Sequence, residues 1–198
     1  MATEDLETSR ITLKPIEDSD YPTLHRWRNE SRFLALFSAK REVVSPENFT
    51  KELAREFERN RHLQFIVLRK KDVVALGTIF SFNFNHIDGY IFVNVYIDEN
   101  YENRGYGAEA IVVIVRYLFK FLPIHKICFE VFEYNCLSLS TMRNAVSSYG
   151  FCEEGCFKEH RFFDGKYYDV FRFAILRDSL DKIESLLQKF KSRGQPLT

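Results

Sequence analysis

Residues 89–123 constrain the fold more than any other stretch of the chain. The run GYIFVNVYI over 89–97 reads as a strand. A polar loop follows, Tyr101-Glu102-Asn103-Arg104-Gly105-Tyr106-Gly107-Ala108-Glu109-Ala110, and apolar residues then continue through Tyr117, Leu118 and Phe121 to Pro123. On local grounds the β-branched run Ile111 to Val115 suits a buried strand. The length of the apolar stretch and the Ala108-Glu109-Ala110 entry favour a helix, so a buried helix is predicted over 107–121. Gly105 and Gly107 let the backbone turn tightly and approach a ligand closely. The N–H groups of a helix N-terminus then point outward at the positive end of the dipole, a geometry that binds phosphate, and Arg104 adds charge. A plain structural turn would use the same two glycines. The dinucleotide fingerprint GxGxxG is absent, because position 110 is Ala and the preceding strands read as antiparallel.

The rest of the chain alternates strand and helix patterns. RITLKPI at 10–16 reads as a strand, and Asp18 to Asn29 as a helix carrying Leu24 and Trp27, capped by Asp18 or Ser19. Ser45-Pro46-Glu47-Asn48 opens a second helix, with Ser45 as N-cap and Phe49, Leu53 and Phe57 on one face. Strands follow at 64–69 (QFIVLR), 73–84 (VVALGTIFSFNF) and 89–97, and the turn residues Asn85 to Gly89 make the last two an antiparallel hairpin. Phe80, Phe82 and Phe84 share one strand face by the two-residue period, either packed under helices or lining an acceptor pocket. Next come a strand at 126–132, a helix near 136–149 ended by Gly150, and strands at 156–163 and 167–176 joined at Asp164-Gly165. A last amphipathic helix carries Leu180, Ile183, Leu186, Leu187 and Phe190, and ends before Gly194 and Pro196. The order βααβββαβαββα predicts an α+β fold, a mixed sheet with helices on its faces.

A length of 198 residues fits a single domain, with a core over about 8–178 and a C-terminal helix over about 178–192. Twenty-eight basic residues balance 28 acidic ones, which argues against a broad footprint for nucleic acid or an anionic membrane. The 20 phenylalanines suit an aromatic-rich core. Cys128, Cys136, Cys152 and Cys156 show neither metal-ligand spacing nor a secreted disulfide framework, so reduced thiols and no metal are expected. MATEDLETSR has no apolar segment and Ile111 to Val115 is too short to span a bilayer, so a cytoplasmic location is expected.

The run VNVYIDENYENRGYGAEAI resembles the acyl-CoA pyrophosphate loop of the GNAT superfamily, whose pattern is Q/R-x-x-G-x-G/A. The resemblance extends over roughly residues 8–178. Asp20-Tyr21 through Arg26-Trp27-Arg28-Asn29 is similar to the first helix of the branch containing ribosomal-protein N-terminal acetyltransferases. Glu130 to Ser138 is similar to the strand-to-helix segment with its N-x-x-S, Gly150-Phe151 to the G-F that ends the helix, and Asp164 to Asp169 to the closing hairpin. Four motifs in the right order make the likeness specific. It implies a mixed sheet splayed open at its middle, with the thioester inserted between two parted strands.

By this resemblance Val95, Tyr96 and Ile97 match the strand segment whose backbone pairs with the pantetheine arm. Asn103, Arg104, Gly105, Tyr106, Gly107 and Ala108 match the pyrophosphate loop, with Glu102 where Gln or Arg is usual. A carboxylate there donates nothing to phosphate. Asn135 matches a side chain that contacts the cofactor near the thioester, and Ser138 a hydroxyl near the sulfur; both also suit helix capping. Relatives often carry a Tyr acid about two turns into this helix, where this chain has Thr141, Met142 and Arg143, leaving Tyr134 or Tyr149 as substitutes. Relatives also keep a Glu base on the strand before the loop. Here that strand has none, and Glu130 is the nearest acidic candidate by segment, with a strand-end surface charge as its plain alternative.

The resemblance implies an acetyltransferase using acetyl-CoA as co-substrate, with direct attack of an amine on the thioester. A ping-pong route through Cys136 and a non-catalytic acyl-CoA-binding module are the alternatives. The expected partners are acetyl-CoA and an amine, with a homodimer admissible and neither nucleic acid nor membrane. The missing base points to an amine of low intrinsic pKa, an α-amine or an amino-sugar amine rather than a Lys side chain.

Overall fold

A computed structural model of the protein describes residues 4–37, 41–59 and 61–192, with only the backbone described at 61 and 62. The predicted end of the last helix at Gly194 and Pro196 lies outside the described residues. Strands β1 (Ile11–Pro15), β2 (Arg61–Arg69), β3 (Val74–Asn85), β4 (Tyr90–Ile97), β5 (Lys126–Phe132), β6 (Phe151–Phe163) and β7 (Lys166–Leu176) form one sheet in the order β1-β2-β3-β4-β5-β7-β6. Every neighbouring pair is antiparallel except β4 and β5. The helices are α1 (Tyr21–Arg28), α2 (Ser31–Leu36), α3 (Pro46–Arg59), α4 (Tyr106–Phe121), α5 (Cys136–Tyr149) and α6 (Leu180–Ser192). Among the described residues no helix is long and apolar enough to cross a membrane.

The ambiguous segment is a helix. Val112 to Val115 are all buried in α4, which packs against one sheet face and carries α6 on its other side. Being covered on both sides explains why its sequence is apolar nearly all round. On the opposite face of the N-terminal half, α1 and α3 bury Trp27, Leu24, Phe49 and Leu53 against Ile66 and Tyr96. Gly77 is required where β3 meets β4: a Cβ there would lie 2.0 Å from the Tyr96 carbonyl oxygen. The Asp164-Gly165 turn has positive φ at both residues, 47° and 77°, the type I′ hairpin its composition suggests.

Three local expectations are corrected. Residues 18–20 form a 3-10 turn rather than the start of the helix, and a reciprocal box between Glu17 and Asp20 caps it in place of Asp18 or Ser19. The short helix α2 has too few apolar repeats to announce itself in the sequence. Phe84 does not share a face with Phe82: Asn83 adopts φ 49° in an irregularity of the β3–β4 register, and the extra residue turns Phe84 over to the α4 side.

Candidate active site

The sheet parts at its middle. Strands β4 and β5 pair only at Tyr90–Lys126, Ile91–Ile127 and Phe92–Cys128, after which they diverge. Strand β5 keeps its other partner as far as Phe132–Val170, and β4 keeps β3 as far as Ile97–Gly77. Each strand is therefore held from outside while the gap stays open. Asp98 N–H donates to the Leu76 carbonyl on the β3 side at 2.8 Å. Backbone groups alternate sides along an antiparallel strand, so those of Val95 and Ile97 face the gap. Extended backbone facing an open gap can pair with an amide-containing arm as a further strand would.

The loop after β4 closes one end of the gap. Gly105 has φ 80° and is the N-cap of α4, a conformation that L side chains adopt only with strain. The first-turn N–H groups at Tyr106, Gly107 and Ala108 have no intrahelical acceptors and point outward, and Asn103 and Arg104 precede them, exposed. Sequence reasoning missed what braces this loop. Glu109 is wholly buried and pairs with Arg10, whose Nε donates to it at 2.8 Å; the Thr8 hydroxyl also donates to it. The same guanidinium lies 4.8 Å over the Tyr106 ring, and its Nη1 donates to the Arg104 carbonyl at 3.2 Å. A Glu directly before the apolar run Ala110 to Val115, in the first turn of the helix, was the available signal.

Glu102, unexpected opposite phosphate, is neutralised. It pairs with Arg32 of α2, whose Nη1 also donates to the Ile97 carbonyl at 3.1 Å. Asp98 anchors the loop to α1 by accepting from Trp27 Nε1 at 2.9 Å and Arg26 Nη2 at 3.0 Å. Burial alone would raise its pKa. The hydrogen bonds from Trp27, Asn100 and Arg26 outweigh that and hold it down at about 2. The Tyr96 hydroxyl donates to Glu30, and burial together with that carboxylate raises its pKa, so it stays protonated.

Across the gap, Asn135 caps α5, its Oδ1 accepting from Ser138 N–H at 3.3 Å; Ser138 is half-buried in the first turn. The capping role is thus present in the geometry. Glu130 lies beyond the last β4–β5 rung, exposed, and is held by Arg172 Nη2 at 2.6 Å. The Tyr134 hydroxyl donates to the Ala35 carbonyl at 2.7 Å, and Tyr149 is the last residue of α5, exposed and about 20 Å of helix away from Asn135. All four cysteines are free. Burial pushes the Cys128 thiol up to about 11, and Cys136 Sγ donates to the Glu133 carbonyl at 3.7 Å, an oxygen that takes no proton.

A parted sheet with a glycine loop at a helix N-terminus is the architecture the sequence motifs imply, and a family model described as an acetyltransferase (GNAT) domain matches residues 10–145. The chain belongs to the GNAT acetyltransferase family. Among curated GNAT relatives, spermidine N(1)-acetyltransferase of Vibrio cholerae is 24% identical over 174 residues, covering 85% of this chain and 94% of that protein. An N-acetyltransferase of Bacillus subtilis, YnaD, is 23% identical over 177 residues, covering 87% and 97%. In fold, the chain matches the Vibrio cholerae spermidine N-acetyltransferase in complex with CoA and spermine with a TM-score of 0.75 at 23% identity, covering 87% of this chain and 99% of that one. It matches RimL, a ribosomal L7/L12 alpha-N-protein acetyltransferase in complex with CoA, with a TM-score of 0.73 at 17% identity, covering 87% and 97%.

Proposed function

We propose that this GNAT enzyme moves an acetyl group from acetyl-CoA to an amine of low intrinsic pKa, by direct attack within a ternary complex. The observation that carries the reading is the gap beyond the Phe92–Cys128 rung, open between two strands that are each secured on their outer side. The backbone of Val95 and the N–H of Ile97 are available to align the pantetheine arm, while the Ile97 carbonyl accepts from Arg32 and Tyr96 locks the strand from the opposite face. Residues Asn103 to Ala108 receive the pyrophosphate through backbone N–H groups, and Asn135 and Ser138 stand at the thioester end. In the step, the amine nitrogen bonds to the thioester carbonyl carbon, the C–S bond breaks, the nitrogen gives up one proton, and CoA leaves as a thiolate that takes up a proton to become the thiol.

Positioning and backbone donors supply most of the rate in this reading. The strand before the loop carries no carboxylate base, and Glu130, the acidic candidate by segment, is paired with Arg172. Deprotonating a Lys amine at pH 7 costs roughly 4–5 kcal/mol, against about 1 kcal/mol for an α-amine. A site so equipped therefore favours α-amines, the group on which RimL acts by its name. The test is CoA-thiol release at pH 7 with two matched peptides, one with only a free α-amine and one with only a Lys amine. The α-amine peptide is expected to react faster. Faster acetylation of the Lys peptide overturns the acceptor assignment, and no release with any amine leaves only a CoA-binding module.

A further inference from the structure

The two faces of the β4–β5 gap differ. Val93 and Val95 point into the core beneath α4, so packed helix closes that face. Side chains alternate along a strand, which sends Phe92, Asn94 and Tyr96 to the other face. Phe92 and Tyr96 indeed belong to the clusters on that side. An amine must therefore approach a thioester held in the gap from the face that carries Asn94. The short helix α2 bounds this approach. Its Phe33 ring lies 5.2 Å from that of Tyr96, and its Ala35 carbonyl accepts from the Tyr134 hydroxyl at 2.7 Å, so α2 reaches from the β4 lip to the β5 side.

Phe92–Cys128 is the last rung of the parallel pair. One step further along the same face come Asn94 on β4 and Glu130 on β5, the first side chains on either lip of the gap. Glu130 is held by Arg172 at 2.6 Å, and that guanidinium lies 5.2 Å from the Phe92 ring, on this same face. Asn94 is placed differently. It lies opposite Phe80 of β3, half-buried, and its side-chain amide makes no hydrogen bond among the described residues. Asn is depleted in strands, and polar side chains shielded from water almost always find a partner. Asn94 is the one amide in the strand YIFVNVYI, it stands where the strands part, and it is equipped to hold a group that arrives with the substrate.

We propose that Asn94 contacts the acceptor: its Oδ1 accepts a hydrogen bond from an N–H of the attacking amine and turns the nitrogen lone pair toward the thioester carbonyl carbon. The inference rests on the acetyltransferase reading above and adds to it a residue that sets acceptor specificity. A side-chain amide takes no proton at neutral pH, so Asn94 orients a neutral amine and does not strip an ammonium. The bonds made and broken stay the same: N–C forms, C–S breaks, and the proton lost by nitrogen is matched by the one the thiolate takes up. A carboxylate in this place would hold the amine and deprotonate it. An amide holds it only, which selects amines with a sizeable neutral fraction at pH 7, the α-amines.

The test measures CoA-thiol release at pH 7 by the parent, Asn94→Ala and Asn94→Asp, each with the α-amine peptide and the Lys peptide. Circular dichroism checks folding, and calorimetry reads CoA affinity. Asn94→Ala should lower kcat for the α-amine peptide about tenfold, the size of one neutral hydrogen bond made in the transition state, and leave CoA affinity within about twofold of the parent. Asn94→Asp keeps the shape and the acceptor oxygen and gains the capacity to take a proton. Its ratio of kcat/KM for the Lys peptide over the α-amine peptide should rise about tenfold or more above that of the parent. A packing defect lowers both acceptors alike and leaves that ratio where it was. A folded Ala variant within about threefold of the parent in kcat, or one whose loss lies in CoA affinity, overturns the inference. So does an Asp variant whose ratio is unchanged or lower, and where the Ala variant does not fold the Asp ratio decides. A parent that prefers the Lys peptide overturns the acceptor reading, and a parent that releases no thiol with any amine overturns the acetyltransferase reading; both results are read before any variant is compared.

Discussion

Replacing Glu109 with Ala removes a carboxylate that never meets solvent yet sits beneath the loop proposed to receive the pyrophosphate. Its side chain is 0% exposed and that of its partner Arg10 is 32% exposed. Deleting one member of a buried ion pair costs about 3–5 kcal/mol, because the other charge is left without compensation. Arg10 keeps enough exposure to regain water, which places the loss near the lower limit, about 3 kcal/mol. For a chain of this size that corresponds to a fall in Tm of roughly 6–12 °C. The functional effect runs through Arg10, whose Nη1 ties down the Arg104 carbonyl. Without Glu109 to orient it, CoA affinity should fall about tenfold, or roughly 1.4 kcal/mol. The double variant Arg10→Met with Glu109→Leu separates the two roles. It should regain most of the stability, since no charge is stranded, and keep the weakened CoA binding, since the Arg104 anchor is gone. Urea unfolding and calorimetry with CoA read the two quantities. A single variant that loses less than about 1 kcal/mol, or a double variant no more stable than the single, refutes the argument.

Three further outcomes are expected. Gly107→Val places branched carbon where a Cβ would already lie 3.4 Å from Ile97 Cγ1, and should weaken CoA binding about tenfold in a folded protein, as read by calorimetry. Arg177→Ala removes three 2.7 Å bonds to the carbonyls of Phe119, Leu122 and Ile124, which close the end of α4; a loss of about 2–3 kcal/mol in urea unfolding is expected. The folded pKa of Asp98, about 2, lies below its unfolded value, so its contribution of roughly 2 kcal/mol is complete above pH ~4 and is lost as pH falls through about 2. Asp98→Asn should be less stable than the parent at neutral pH and should narrow that deficit on acidification; a constant difference across the range would contradict the assignment.

Much of the site could be read from the chain because its chemistry is local. A glycine at φ 80° that opens a helix, an Asn that caps the next one, and a β-hairpin turn at Asp164-Gly165 are all decided by residues within a few positions of each other. The α4 segment, locally ambiguous between strand and helix, was settled by its length. Local pattern failed where a single residue interrupted it. At Asn83 an irregular register inverts Phe84, and no periodicity signals where such an interruption falls.

What the sequence determined by itself was most of the order of elements, the glycine loop at Gly105 and Gly107 that opens a helix, and the apolar faces that drive helices onto a sheet. These follow from φ preferences, capping and hydrophobic period, which act over one or two turns of chain. Only the tertiary structure decided that β4 and β5 part after Phe92–Cys128, that Arg32 neutralises Glu102, and that Glu109 is buried on Arg10. The partners in the two ion pairs, Arg32 with Glu102 and Arg10 with Glu109, stand 70 and 99 residues apart. Whether a charge is compensated depends on which side chains the fold brings within a few ångströms, and Coulomb energy depends on that distance and on burial rather than on position along the chain.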